Sequence, residues 1–226
     1  MTMDFGFATY AHIDIDYYIY NMTSGSGKYH ISKEERDDQV LPNKPGITDL
    51  KGIGEAEAEG FAYTELDLIE ELTHETIFNI SYIREIHRRA LSHIYTFAGE
   101  YRSVNVSKGE FMFAAAHVIP DAMMAFEREV LLKLPHYYQS RKKLIHDIGK
   151  VHAELLFIHP FREGNGRTLR ILANMMAYKQ GYGGINFEPV NRDEKMKSRY
   201  ITCVQAAAAE DYQPMIRLME ELLPSG

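Results

Sequence analysis

The stretch His159-Pro160-Phe161-Arg162-Glu163-Gly164-Asn165-Gly166-Arg167-Thr168-Leu169-Arg170 reads as a tight loop set between two helices. Pro160 disfavours helical backbone at the residue before it, so the apolar helix that runs up to Ile158 is expected to stop at His159. Gly164-Asn165-Gly166 supplies two positions that accept positive φ and let a ligand approach the main chain without a Cβ in the way. From Arg167 to Met176, Leu169, Leu172 and Met176 recur at spacings of three and four, the period of an amphipathic helix. The glycine loop therefore sits at a helix N-terminus, where main-chain N–H groups and the helix dipole favour an anion.

The side chains around that loop specify the anion further. Arg167 and Arg170 lie three apart on one expected helical face, so both guanidinium forks are placed to reach one polyphosphate. Glu163 is a single carboxylate beside the loop, and magnesium is commonly held by one carboxylate together with substrate phosphates. A nucleoside triphosphate with Mg2+ is the occupant that suits this set. His159 is then placed to take a proton from an incoming hydroxyl, because its ordinary pKa lies near neutrality. Phe161 is expected to anchor the loop in the core. The reaction class is nucleotidyl or phosphoryl transfer.

Outside this segment the pattern is mainly helical. Apolar residues recur at helical spacing in Leu66, Ile69 and Leu72, in Ile83, Ile86, Ala90 and Ile94, and in Ile145, Ile148, Val151 and Leu155. Residues 99–113 alternate at Val104 and Val106 and turn at Lys108-Gly109, which predicts a short β-hairpin. Residues 1–46 carry a linker-like Thr23-Ser24-Gly25-Ser26-Gly27, a charged run and two prolines, and read as an N-terminal arm of no interpretable motif. Residues 47–226 read as one catalytic domain with its core at about 80–220. A net charge of −7 and the lack of a Lys/Arg stripe argue against nucleic-acid binding. No apolar run is long enough for a membrane span, and the N-terminus lacks a secretory signal. Cys203 stands alone, which excludes an internal disulfide and fits a reducing cytoplasm. His152 shares a helical face with His159 and is expected to pack rather than ligate.

The segment resembles the signature of the Fic (Fido) family, His-x-Phe-x-(Asp/Glu)-Gly-Asn-Gly-Arg-x-x-Arg, at every position. The resemblance implies a Fic-type helical bundle with one β-hairpin flap and the activity of a protein adenylyltransferase, which transfers AMP from ATP to a Tyr, Thr or Ser hydroxyl. It makes His159 the base, Glu163 the magnesium ligand and Gly164, Asn165 and Gly166 the phosphate nest. Arg167 becomes the β-phosphate contact and Arg170 the γ-phosphate contact. A kinase branch of the superfamily carries Lys at the place of Gly166, so glycine there favours AMP transfer. The hairpin resembles the Fic flap, which adds a strand to an extended target segment; Lys108, Phe111, Met112 and Phe113 are its target-binding candidates. Asn191 and Tyr200 fall where the family often builds its adenine pocket.

Many Fic proteins carry an inhibitory helix of pattern (Ser/Thr)-x-x-x-Glu-(Gly/Asn). Ser81 with Glu85 and Thr96 with Glu100 have the spacing, but Ile86 and Tyr101 follow them. Inhibition by a separate antitoxin is one expectation and no inhibition another, and homo-oligomerisation stays open. Two alternatives to the leading reading also remain: a Fic-type transferase that uses another nucleotide or diphosphate donor or removes AMP, and a non-catalytic nucleotide-binding module.

Overall fold

A computed structural model describes residues 40–108 and 111–224. Residues 1–39, which hold most of the expected arm, lie outside the described residues, as do the hairpin tip at 109–110 and the side chain of Lys108. The described chain is mainly helical. The elements are α1 (Leu50–Glu71), α2 (Ile80–Leu91), β1 (Ser107–Lys108), β2 (Phe111–Met112), α3 (Ile119–Glu129), α4 (Arg141–Ile158), α5 (Asn165–Tyr178), α6 (Glu188–Arg192), α7 (Glu194–Ala207) and α8 (Gln213–Leu222). No helix among the described residues is long and apolar enough to cross a membrane.

Side-chain caps set several helix starts. Asp49 accepts from Gly52 N at α1, Asn79 from Tyr82 N at α2, and Ser140 from Lys143 N at α4; each satisfies a main-chain donor that the first turn leaves unpaired. α4 is the central helix and packs on α5, α7 and α8, while α5 also packs on α1 and α2. The contact of α4 with α8 needs a glycine, because a Cβ on Gly149 would stand 2.7 Å from the main chain of Ile216. Ile145, Ile148, Val151 and Leu155 are buried on α4, as are Leu169, Leu172 and Met176 on α5. The expected α4 and α5 stripes therefore describe the two helices that hold the loop between them.

The expected stripe on α1 is displaced. Leu72, just past the helix, is buried as expected, but Leu66 and Ile69 flank the core, and the buried face runs through Ile53, Glu57, Phe61, Glu65 and Leu68. Two glutamates on that face hide its period from an apolar count. Both are spent on α5: Glu57 Oε2 accepts from Arg167 Nη2 at 2.7 Å and Glu65 Oε1 from Asn174 Nδ2 at 2.7 Å. The strands are also displaced. β1 and β2 pair antiparallel with Ser107 opposite Met112 and Lys108 opposite Phe111, so Val104 and Val106 precede the paired residues, though Phe113 N still donates to Val106 O.

Burial pushes the Glu65 carboxyl up to about 7, against a smaller opposing pull from Asn174. An unfolded glutamate titrates near 4.5. Between those values the folded chain holds a proton that the unfolded chain has released, so this stability is complete below the lower value and is lost as pH rises through 7. At about 1.4 kcal/mol per unit the loss is on the order of 3 kcal/mol. Glu65→Gln keeps an acceptor for Asn174 without the charge. The variant should melt well above the parent at pH 8 and alongside it near pH 4.5; parallel curves at both values would contradict the assignment.

Candidate functional site

The site begins where α4 ends. His159 closes the helix through His159 N to Leu155 O at 2.9 Å, but its own φ and ψ are 53° and 61°, the left-handed region. For a residue with a Cβ this conformation costs roughly 1–2 kcal/mol. Arg102 holds it in place. Arg102 Nε donates to His159 O at 2.7 Å and Arg102 N to Pro160 O at 2.9 Å, while Nη1 and Nη2 donate to Val104 O and Ala114 O on either side of the β1–β2 pair. This guanidinium is buried and meets carbonyls rather than a carboxylate; burial, and then the charge of Arg162, lower its pKa to about 10. One side chain thus fixes the strand pair to the end of α4.

The imidazole of His159 lies flat against Phe113, 3.9 Å between centroids. Its Nδ1 donates to Leu156 O at 3.1 Å, because a carbonyl can only accept, and this puts the lone pair of the neutral ring on Nε2. The loop beyond it is closed from within. Asn165 Oδ1 accepts from Phe161 N and Asn165 Nδ2 donates to Phe161 O, both at 2.8 Å. Phe161 stacks on His87 at 3.9 Å. His87 Nδ1 accepts from Gly99 N, so its Nε2 carries the proton and donates to Glu163 O. Gly164 has φ 74° and caps α5, and a Cβ there would meet Phe61 at 2.9 Å, so both the backbone and the packing require glycine.

Behind the loop lies a buried ionic cluster. Arg167 Nη2 reaches Glu57 Oε2 at 2.7 Å and Glu163 Oε1 at 3.5 Å, and its guanidinium covers the Phe61 ring at 4.8 Å. Tyr95 OH donates to the other oxygen of Glu57. Burial would lower the Arg167 pKa, but the Glu57 and Glu163 carboxylates outweigh it and hold the group above its ordinary value. Burial, then the charge of Glu57, raise Glu163. Both effects favour the protonated carboxyl at Glu163, which a bound cation would reverse. Glu163, beside the Gly164 loop, is the one carboxylate of this cluster placed to share a Mg2+ ion with substrate phosphates.

Arg170 has a different environment. It is half-buried, Nη1 donates to Asn191 Oδ1 at 2.8 Å, and the guanidinium lies 5.1 Å from the Phe187 ring and 5.9 Å from the Tyr200 ring. Tyr200 OH is hydrogen-bonded to His152 Nε2 at 2.7 Å, and burial pushes the phenol up to about 12 and His152 down to about 3. A cleft runs along this wall. His159, Gly166, Arg170, Asn191 and Tyr200 line it, with Phe111 and Phe113 beside them. A Cβ on Gly166 would meet nothing within 4 Å.

The structure therefore brings together most, though not all, of the expected site. The two arginines do not share one face of the cleft: Arg167 is turned to α1, and Glu163 lies with it behind the wall. Helical spacing placed them on one side of α5 but could not show that α1 presents a carboxylate there. Met112 is 59% exposed, Phe111 half-buried and Phe113 buried against His159. Glu85 is spent on Arg88 and Arg89, and Glu100 on Arg84, so neither reaches Arg170. The sequence reading missed Glu57, His87, Tyr95 and Arg102. Of these, only Arg102 had a signal, a charged residue at the root of an alternating strand pattern.

Residues 77–177 match the model of the Fic/DOC family. "Protein adenylyltransferase Fic" of Nematostella vectensis is 32% identical over 165 residues, 71% of this chain and 35% of the relative. "Protein adenylyltransferase VbhT" of Bartonella schoenbuchensis is 28% identical over 178 residues, 76% of this chain and 36% of the relative. The chain thus spans about a third of the length of these curated relatives. Its fold is shared by the N-terminal FIC domain of Bep8 from Bartonella sp. 1-1C, with TM-score 0.69, 19% identity and coverage of 86% of this chain and 94% of that one. BepC of Bartonella tribocorum with bound AMPPNP has TM-score 0.68 at 20% identity, covering 87% and 99%.

Two outcomes are expected from this geometry. Glu57→Gln leaves a buried arginine undercompensated and should cost roughly 3–5 kcal/mol, measured by denaturant unfolding. Adding Arg167→Met should recover a large part of that cost, and additive losses would contradict the pairing. Arg102→Lys cannot fork across three carbonyls, so it should cost about 2–5 kcal/mol. Its amide exchange should accelerate at 104–108, 111–116 and 159 more than in α8.

Proposed function

We propose, from the premise that the chain belongs to the Fic/DOC family through residues 77–177, that it is a protein adenylyltransferase using ATP and Mg2+. The observation that carries this reading is the single cleft that joins His159, Gly166 and Arg170 to the β1–β2 pair. A base, an open helix start and a cationic group stand on one wall, beside two short strands that an extended segment of another protein can extend.

In the proposed reaction the target's Tyr, Thr or Ser oxygen bonds to the α-phosphorus of ATP. The bond from that phosphorus to the β-bridging oxygen breaks and pyrophosphate leaves. The hydroxyl proton passes to His159 Nε2, the nitrogen that its Nδ1 contact leaves as acceptor. Arg170 would take the terminal phosphate, and main-chain N–H groups at Asn165 and Gly166 the inner ones, with the Gly164 N–H held by Glu163 Oε1. Glu163 would hold Mg2+, which when bound neutralises phosphate charge. Arg167 would complete the phosphate site from beneath while Glu57 fixes its guanidinium. Open space at Gly166 supports AMP transfer over the kinase orientation. The names of the two adenylyltransferase relatives and the AMPPNP held by BepC support the nucleotide assignment. Met112, exposed on β2, together with Phe111 and Lys108, would meet the target.

Incubation of the purified chain with Mg2+, cell lysate and ATP labelled on either the α- or the γ-phosphate tests the reaction. Protein label from α only is expected; label from γ only, or from neither, would overturn it. His159→Ala should lower α-label transfer about 10²–10⁴-fold while AMPPNP binding persists. Transfer at the parental rate would remove His159 from the mechanism.

A further inference from the structure

The two motif arginines differ in how their charge is balanced. Arg167 is paired inside the protein with Glu57. Arg170 forms no ion pair among the described residues; its contacts there include the amide oxygen of Asn191 at 2.8 Å, the rings of Phe187 and Tyr200, and the Tyr200 hydroxyl. Tyr200 is itself held neutral, with His152 behind it. A guanidinium held only by neutral groups keeps its full charge for a ligand, whereas one already paired with a carboxylate meets an anion with much of its charge balanced.

We propose that Asn191 is a specificity-determining positioning residue: through its neutral amide oxygen it fixes Arg170 at the cleft wall and leaves that guanidinium uncompensated for the terminal phosphate of a nucleoside triphosphate. This rests on the nucleotide reading of the cleft. It assigns Asn191 to the phosphate end of the ligand rather than to the base. The choice of amide over carboxylate is the substance of the inference, because aspartate has nearly the same shape and the same acceptor atom. Asp at this position would turn the 2.8 Å hydrogen bond into an ion pair. Asn191 is half-exposed on the short helix α6, so the exchange places little burden on folding.

Calorimetric titration of the full chain with AMPPNP and with ADP, at one fixed Mg2+ concentration, separates the two phosphate ends. The parent should bind AMPPNP more tightly than ADP. Asn191→Asp should weaken AMPPNP by roughly 10–100-fold and ADP far less, collapsing the preference. Asn191→Ser, which keeps a neutral oxygen, should retain most of it. In an Arg170→Ala background Asn191→Asp should change neither affinity further. Unaltered preference in Asn191→Asp, equal weakening of both nucleotides, or the same loss without Arg170 would each overturn the role. A parent chain that binds neither nucleotide, or both alike, would instead overturn the placement of the triphosphate, and with it the reading on which this rests.

Discussion

The end of α4 is the constraint from which the rest of the site follows. A helix that stops at a histidine in left-handed backbone, with proline next, is not a conformation the chain would keep unaided. Its carbonyls at 159 and 160 are held by the side chain and main chain of Arg102, the same residue that joins both flanks of the β1–β2 pair. A guanidinium suits this place because it carries five donors in a rigid fork and stays charged when buried. The position of the base relative to the strand pair is therefore set by one residue that adjoins β1 but is distant from His159 in sequence, and the flat contact of Phe113 on His159 accompanies it.

The loop that follows is rigid for a second, independent reason. Asn165 closes it on Phe161, His87 supports it from below, and Gly164 packs against Phe61 with no room for a side chain. Anion recognition by main-chain N–H groups requires such preorganisation, since groups that must be ordered on binding spend affinity on their own entropy. The buried Glu57–Arg167 pair then ties α1 to the start of α5. α1 belongs to the site in this sense, although the family match begins at residue 77.

How much of this was legible in the sequence depended on the range of the interaction. The helix stop at Ile158, the buried stripes of α4 and α5 and the packing of Phe161 are local, and Pro160, the 3.6-residue period and the glycine spacing state them directly. The face of α1 was misplaced because Glu57 and Glu65 occupy core positions, and an apolar count has no means of recognising a buried carboxylate whose partner is more than a hundred residues away. The same limit explains Arg167 and Arg170. Their spacing correctly puts them on one helix, but which of them reaches the cleft is decided by α1. Asn191 and Tyr200, reached only through resemblance, do stand on the cleft wall, and they hold Arg170 there.

The most direct measurement is a crystal structure of the chain with Mg2+ and AMPPNP. The terminal phosphate is expected against Arg170, the inner phosphates over residues 164–166, and the α-phosphorus open toward His159 Nε2 along the β1–β2 side. A nucleotide bound in reverse, with its terminal phosphate facing His159, would contradict the account, as would one seated outside this cleft.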